Sequence, residues 1–270
     1  MADHQEIDVH FGGRTDAICC HRIGDVLIDP GPTSSSQTLL QALDGWQPRA
    51  VLLTHIHLDH AGAAGTLLRD WPGTELWVHE RGARHMVDPT KLIASAKQIY
   101  GDRMDELWGE IAPVPEDRLV VLQGGEERDG FRVAYTPGHA KHHVSFLDEG
   151  SGIAFAGDTA GVRIKDGPTI PPTPPPDIDL EQWSASAQIL RAWDPSAVAI
   201  THFGTYTDVQ SQLDDLDAGL KHWGDLALKV DAEEFERQML EAVGTHNAYT
   251  LAMPTTMLHA GLLRYWQKRA

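Results

Sequence analysis

Cysteine is scarce in this chain, and the distribution of the two thiols limits what they can do. The 270 residues include only Cys19 and Cys20, which are adjacent. Neighbouring residues of a strand point to opposite faces of a sheet. We therefore expect no disulfide between them, and expect instead one buried apolar thiol and one thiol facing a neighbouring strand.

Long hydrophobic runs are also missing. No stretch approaches the roughly 18 to 20 consecutive apolar residues that a membrane-spanning helix needs. Residues 1–6 have neither the basic start nor the apolar run of a secretory signal. These absences predict a cytoplasmic protein with no membrane partner.

Basic residues are few. The chain has 22 Lys and Arg against 39 Asp and Glu, a formal net charge of −17, with no basic patch or basic arm. Binding to a phosphate backbone requires clustered Lys and Arg. We therefore expect no nucleic-acid partner and a small-molecule substrate instead.

Two common catalytic signatures are absent. The sequence contains no Gly-x-Ser-x-Gly motif and no glycine-rich phosphate-binding loop with a lysine. It therefore offers no serine nucleophile of the usual kind.

Histidine, by contrast, is concentrated in one segment. Residues 54–60 read Thr-His-Ile-His-Leu-Asp-His and directly follow the apolar run 50–53. Side chains two residues apart in an extended chain point the same way, so His55 and His57 can bind one cation together. Asp59 and His60 come where the chain must turn, so they can face a second cation.

Three more polar side chains follow apolar runs further along the chain. They are His139 in Pro-Gly-His, Asp158 in Gly-Asp-Thr and His202 in Thr-His-Phe-Gly, each with a glycine beside it. If these strand ends converge with residues 54–60, they supply five histidines and two aspartates. Nitrogen and oxygen ligands without sulfur suit two divalent cations.

This ordered set of motifs resembles the metallo-β-lactamase-fold hydrolase superfamily, and is most similar to its glyoxalase II-like and lactonase-like branches. The matching elements run in family order from about residue 7 to residue 204. The resemblance implies one metal held by His55, His57 and His139, a second held by Asp59, His60 and His202, and Asp158 bridging both. Zinc β-lactamases proper usually have a cysteine near the position of Asp158, which argues against antibiotic hydrolysis.

The activity implied by the resemblance is that of a dinuclear metal-dependent hydrolase. A metal-bridging hydroxide would attack a small ester, thioester or lactone, with Asp59 or Asp158 passing a proton to the leaving group. We expect zinc, with iron or manganese as alternatives. A mononuclear iron-dependent dioxygenase similar to the persulfide dioxygenases, a phosphodiesterase and a non-catalytic binding protein remain alternative hypotheses. The basic glutathione-binding tail of glyoxalase II is not evident, so S-lactoylglutathione is not assigned as the substrate.

The remaining pattern predicts one α/β domain over residues 1–270, with the four-layer αββα sandwich of the metallo-β-lactamase fold. Residues 34–43 and 180–193 are predicted to be helical. Strands are predicted at 7–11, 26–28, 76–78, 119–122, 131–135, 143–147, 153–156 and 197–200.

Two helical segments depart from this core. An insertion at about 80–117, with helices at 91–100 and 104–108, is expected to overhang the metals as part of the substrate pocket. A C-terminal segment at about 208–270 contains predicted helices at 209–230, 232–243 and 255–268. It either covers the sheet, forms a homodimer face or shapes the pocket.

Several further residues are candidates for lesser roles. The proline-rich loop 171–176 is expected to fix the chain's path beside the site, and His142 and His143 to support the ligands or the structure. Arg163 and Lys165 are interpreted as surface charge. One of three tyrosines could offer a hydroxyl to a transition state: Tyr100, Tyr206 and Tyr249.

Overall fold

The computed structural model describes residues 3–244 and 247–269, and in them the chain forms two six-stranded sheets. The first sheet has the order β1-β2-β3-β4-β5-β6. Its first three strands pair antiparallel, and β3 to β6 pair in parallel. The strands are β1 (His4–Asp8), β2 (Cys19–Ile23), β3 (Val26–Ile28), β4 (Ala50–Leu52), β5 (Glu75–His79) and β6 (Leu119–Leu122).

The second sheet has the order β12-β11-β10-β9-β8-β7. Only the β10–β11 pair is parallel, and the other neighbours are antiparallel. The strands are β7 (Glu127–Arg128), β8 (Phe131–Tyr135), β9 (Val144–Asp148), β10 (Ile153–Phe155), β11 (Ala197–Ile200) and β12 (Gly204–Tyr206).

Eleven α-helices accompany the sheets within the described ranges. They are α1 (Ser36–Leu43), α2 (Leu58–Ala61), α3 (Ala64–Asp70), α4 (Glu80–Val87), α5 (Thr90–Tyr100), α6 (Met104–Trp108), α7 (Leu180–Trp193), α8 (Val209–Ala227), α9 (Ala232–Val243), α10 (Asn247–Ala252) and α11 (Thr255–Gln267). None of them combines the length and hydropathy that a bilayer span requires.

Three hydrophobic clusters define four layers. The middle cluster joins the facing sides of the two sheets, with Ile28 and Trp77 from one and Phe146 and Phe155 from the other. An outer cluster packs α1, α3 and the insertion helices onto the first sheet. The other packs α7 and the C-terminal helices onto the second sheet. This arrangement confirms the predicted αββα sandwich.

The structure also corrects some predicted boundaries. The first strand ends at Asp8 rather than at residue 11, because His10 adopts a left-handed backbone conformation and Phe11 opens a 3₁₀ turn. Helix α4 was not predicted, since polar and charged residues dominate it and only Gly82, Ala83 and Met86 are buried. The short strands β7 and β12 were also missed.

The insertion and the C-terminal segment both consist largely of helix. Helices α4, α5 and α6 lie in the chain between β5 and β6, which are adjacent parallel strands. In the C-terminal segment α8 packs on α7, and α11 packs on α9. The Thr173 hydroxyl donates to the Leu258 carbonyl at 3.1 Å, which ties the proline-rich loop to α11.

Candidate metal centre

The seven predicted ligands all lie at one edge of the sandwich, beyond the carboxyl ends of β4, β8, β10 and β11. Backbone hydrogen bonds join the two sheets at this edge. Val144 N donates to Thr54 O at 2.8 Å, and Cys19 N donates to Thr201 O at 2.7 Å. These backbone bonds fix the strand ends relative to each other without any contribution from the metal-binding side chains.

Three imidazoles form a first group. His57 Nδ1 lies 2.9 Å from His55 Nε2 and 2.9 Å from His139 Nε2. Three nitrogen atoms that converge in this way match the imidazole ligation that divalent transition metals favour.

Asp59, His60 and His202 form a second group. His202 Nε2 lies 3.4 Å from Asp59 Oδ2, and His60 Nε2 lies 4.0 Å from the same oxygen. All three ligand atoms are within 4.8 Å of one another. The side chains predicted to serve two cations thus come together as two neighbouring groups.

Asp158 lies between the groups and presents one oxygen to each. Its Oδ2 is 3.2 Å from His139 Nε2, and its Oδ1 is 3.3 Å from His60 Nε2 and 3.7 Å from His202 Nε2. This carboxylate is carried by a 3₁₀ turn, Gly157–Ala160, that directly follows β10. Its position is the one that a bridging ligand would occupy.

The outer nitrogens of three histidines are held by oxygen acceptors. His139 Nδ1 donates to Pro172 O at 2.9 Å, and His202 Nδ1 donates to Ala17 O at 2.6 Å. A carbonyl oxygen can only accept, so each Nδ1 carries the hydrogen and each Nε2 of the neutral ring has a free lone pair. His60 Nδ1 is held in the same way by Asp29 Oδ2 at 2.8 Å.

The charge balance differs between the two groups. Burial lowers the pKa of His57 to about 4, and burial also lowers the pKa values of His55 and His139. These rings are therefore neutral, as metal ligands must be.

In the second group, carboxylates outweigh the cost of burying charge. Burial opposes a proton on His60, but Asp158, Asp29 and Asp59 raise its pKa well above the usual range. Burial is likewise outweighed at His202, where Asp158 and Asp59 raise the pKa. Without a cation, the carboxylates draw protons onto these rings.

Buried atoms without hydrogen-bond partners show that the residues fit a metal. His60 Nε2, His202 Nε2 and Asp158 Oδ1 are all buried, and within the described residues none of them makes a hydrogen bond of good geometry, although His60 Nε2 and Asp158 Oδ1 lie 3.3 Å apart. Buried polar atoms are rarely left unsatisfied, because the desolvation cost is about 1–3 kcal/mol for each group. Two nitrogen atoms and one oxygen atom around a common point are a donor set suited to a divalent cation.

Asp29 is a functional residue that the sequence reasoning missed. It is fully buried and accepts hydrogen bonds from Thr54 N at 2.8 Å, Thr54 Oγ1 at 2.6 Å and Thr201 Oγ1 at 2.8 Å, besides the bond from His60. It therefore connects the ends of β3, β4 and β11 behind the second group. The available signal was its position directly after β3, in the turn sequence Asp-Pro-Gly.

Replacing Asp29 by alanine is expected to weaken metal binding by about 10- to 100-fold, because the His60 ring loses the hydrogen bond that fixes its orientation. It should also destabilise the fold, since buried donors of Thr54 and Thr201 lose their acceptor. Chelator competition and thermal denaturation measure the two effects. Asp25→Ala is the control, because Asp25 is exposed at the opposite end of β3; unchanged metal affinity in Asp29→Ala would refute the role.

Glycine is required beside one ligand. Gly138 precedes His139 and has a φ of +139°, and a Cβ there would lie 2.3 Å from the Cα of Trp183. The close approach lets α7 pack against the turn that carries His139. The Trp183 ring meets the His139 ring edge-on at 5.3 Å and adds to this support.

The neighbouring histidines take supporting positions. His143 is buried, and its Nδ1 lies 3.0 Å from Thr136 Oγ1 and 3.2 Å from Thr159 Oγ1, while its ring stacks on His55. The His142 ring is nearly parallel to that of His55 and lines a cavity beside the two ligand groups.

The candidate tyrosines and cations differ in whether they line the cavity at the metal groups. Tyr100 lines the cavity at the metal groups, whereas Tyr206 donates to Arg163 O and Tyr249 donates to Pro168 O. Arg163 is paired with Asp208, and Lys165 is paired with Asp16. Neither cation lines that cavity. Lys165 is exposed, as expected for surface charge, whereas the Arg163 side chain is only 18% exposed and packs over the Tyr206 ring.

A cavity of about 310 Å³ opens directly over the two groups. His57, Asp59, His139 and Asp158 form its polar wall. The insertion, the proline-rich loop and the C-terminal segment supply its other walls, which include Leu92, Ile99, Tyr100, Pro172, Pro174, Met253, Met257 and Leu258. Both added segments therefore contribute to the pocket.

Comparison with known proteins agrees with this geometry. Residues 21–202 match the sequence model for the Metallo-beta-lactamase superfamily. A metallo-beta-lactamase fold-containing protein of Sulfurisphaera tokodaii is 32% identical over 196 residues, which cover 69% of this chain and 71% of that protein. A hydroxyacylglutathione hydrolase of Enterobacter sp. is 31% identical over 136 residues, which cover 50% of this chain and 41% of that enzyme.

A solved structure extends the likeness to nearly the whole chain. The crystal structure of an archaeal metallo-beta-lactamase superfamily protein from Sulfolobus tokodaii superimposes with a TM-score of 0.74 at 25% identity. The match covers 97% of this chain and 99% of the archaeal protein. It includes the C-terminal helices beyond the region matched by the superfamily sequence model.

Proposed function

This chain belongs to the metallo-β-lactamase superfamily and is a metal-dependent hydrolase, and we propose that it uses two divalent cations to cleave an ester, thioester or lactone. The observation that carries this proposal is the position of Asp158. Its two oxygens face different ligand groups at 3.2 and 3.3 Å, and each group has the donors of a complete metal site.

Each cation would take three side chains of its own. His55, His57 and His139 would hold the first, and Asp59, His60 and His202 would hold the second, with Asp158 shared. When bound, such cations acidify water and polarise a carbonyl oxygen. We propose zinc as the native metal, with iron or manganese as the alternatives to be tested, because imidazole and carboxylate donors accept all three.

The protein's own contribution begins with Asp59. Its side chain is 22% exposed and lines the cavity, whereas Asp158 is only 4% exposed. Asp59 is therefore the better placed of the two carboxylates to take the proton that the attacking water gives up and pass it to the leaving atom of a substrate in the cavity.

A carbonyl substrate is supported by the hydroxyacylglutathione hydrolase of Enterobacter sp., whose name describes cleavage of an acyl compound. The chain spans less than half of that enzyme's length. The acyl class is therefore proposed here, and its particular substrate is not transferred.

A substrate and metal panel tests the proposal. Protein purified without added metal would be analysed for metal content, then assayed in zinc, manganese and iron forms on lactones, thioesters, esters and phosphodiesters. We expect about two metals per chain and turnover of a carbonyl substrate with kcat/KM of about 10⁴ M⁻¹ s⁻¹ or more. One redox-active iron per chain together with oxygen uptake, or turnover of phosphodiesters alone, would contradict it.

A further inference from the structure

A second cavity adjoins the one over the metal groups. It has a volume of about 530 Å³ and lies on the outer side of α4. Three residues line both cavities, namely His85, His142 and Asp177. The two cavities are therefore neighbours, and the shared residue His142 lies beside the candidate centre, with its ring 5.6 Å from that of His57.

The second cavity and its junction carry unpaired positive charge. Arg81 and Arg84 line the second cavity, and Lys91 lines the first. All three are exposed. Within the described residues, none of them has a carboxylate oxygen within 4.0 Å, although the chain carries a net charge of −17. Free cations gathered at one opening of an acidic protein produce a local field that attracts anions.

The acidic residues at the same opening offset these charges only in part, because Glu80 and Asp177 line the second cavity together with Arg81, Arg84 and Lys141. Asp177 is paired with Lys141 at 3.2 Å, and Glu80 accepts a hydrogen bond from Gln123 Nε2 at 3.1 Å. The pKa of His85 is lowered first by burial and then by Arg84 and Lys91, as expected where positive charges lie close together. Arg84 Nε donates to His85 Nε2 at 3.2 Å, and the Arg81 guanidinium lies over the Tyr135 ring. Neither contact neutralises a charge, so Arg81, Arg84 and Lys91 can still attract an anion.

The first cavity has the opposite character away from the metal groups. Its walls there are formed by Leu92 and Ile99 of α5 and by Met253, Met257 and Leu258 of the C-terminal segment. Ile99 is 45% exposed, and a ligand in the cavity would cover part of this apolar side chain. Methionine side chains adapt to flexible apolar groups of varied shape.

We propose that the substrate is an amphiphile with one aliphatic arm and one anionic arm joined at the scissile carbonyl. The aliphatic arm lies against α5 and the C-terminal segment, and the carbonyl lies beside His57 and Asp59. The anionic arm, a carboxylate or a phosphate, passes His142 to reach Arg81, Arg84 and Lys91. This inference rests on the proposed hydrolase function and narrows its substrate class.

A binding experiment tests the two-armed site without turnover. Octane-1-sulfonate and octan-1-ol would be titrated into zinc-reconstituted protein by calorimetry. We expect the sulfonate to bind at least about tenfold more tightly, a preference of the size that complementary charge supplies. Arg84→Glu and Lys91→Glu should each remove most of that preference.

The control variant lies on the same helix as one of the cations. Lys97 is exposed on α5 but lines neither of the two cavities, so Lys97→Glu makes the same charge change away from the site. It should leave the sulfonate preference in place. Equal binding of sulfonate and alcohol, or an equal loss in Lys97→Glu, would overturn the proposal.

A kinetic experiment tests the anionic arm separately from the proposed hydrolase function. Octanoyl thioesters of a neutral thiol, a carboxylate-bearing thiol and a phosphate-bearing thiol would be compared by kcat/KM. We expect one anionic thioester to exceed the neutral one by about tenfold or more, mainly through KM, with the ratio falling towards one in Arg84→Glu. Which anion gives the larger ratio identifies its class.

The outcomes of that comparison differ for the two claims. If all three thioesters are cleaved with equal kcat/KM, the hydrolase function stands and the anionic arm is wrong. If none of them, and no compound of the wider carbonyl panel, is cleaved by any metal form, the proposed function itself fails.

Discussion

Replacing His57 by alanine is expected to lower turnover by on the order of 10³-fold or more while the chain still folds. His57 Nδ1 lies 2.9 Å from both His55 Nε2 and His139 Nε2, so its loss opens the first ligand group. The side chain is only partly buried and belongs to no strand, so little packing is lost. Turnover, metal content and circular dichroism of the same preparation measure the effect.

Two further variants make the His57 result specific. His143→Ala should be milder, because His143 contacts threonine hydroxyls and the His55 ring but belongs to neither group. His222→Ala, at an exposed position of α8, should resemble the parent protein. Near-normal activity of His57→Ala with depleted metal would contradict the ligand assignment, and complete loss in His143→Ala would move that residue among the ligands.

Replacing Asp158 by asparagine is expected to reduce bound metal from about two per chain to one or none, with a loss of turnover on the order of 10³-fold. The substitution keeps the size of the side chain but removes the charge that faces both groups. In the metal-free protein, Asp158 also helps to raise the pKa of His60 and of His202 against the effect of burial. Metal content by mass spectrometry and chelator competition would measure the change.

A carboxylate elsewhere provides the comparison for Asp158. Asp208, whose side chain is 47% exposed, pairs with Arg163 at 2.9 Å and belongs to neither ligand group, so Asp208→Asn should leave metal content and turnover unchanged. Two tightly bound metals in Asp158→Asn would show that this side chain does not join the groups.

Much of the site could be predicted because each ligand has a local signature. His55 and His57 directly follow a buried apolar strand, and His139 and Asp158 each stand beside a glycine in a turn. Short apolar runs ending in a polar residue indicate strand ends. The structure brings these ends to one edge, while the metal-binding role of each residue stays a prediction.

What the sequence could not provide is contact between distant segments. Asp29 is recognisable only when Thr54, His60 and Thr201 surround it, and those partners lie 25 to 172 positions away along the chain. No spacing rule joins one turn to three others. The segments that form the cavity walls were predicted, but the individual residues of α5, the proline-rich loop and the C-terminal segment that meet there were not.

Three elements, α4, β7 and β12, were missed because their local sequence does not indicate a helix or a strand. Helix α4 has a polar face that carries Arg81 and Arg84, and its buried face is formed by Gly82, Ala83 and Met86, so the segment is polar on average although it is amphipathic. Strand pairing overrode weak local preference at β7 and β12, each only two or three residues long. Missing α4 also concealed the cationic opening next to the centre.

Anomalous X-ray diffraction from zinc-reconstituted crystals tests the central claim most directly, because it locates each metal without reference to activity. Two anomalous peaks are predicted, one among His55, His57 and His139 and the other among Asp59, His60 and His202, with the Asp158 carboxylate between them. A single peak, or two peaks with Asp158 turned away from either, would contradict a centre that depends on one carboxylate shared by two cations.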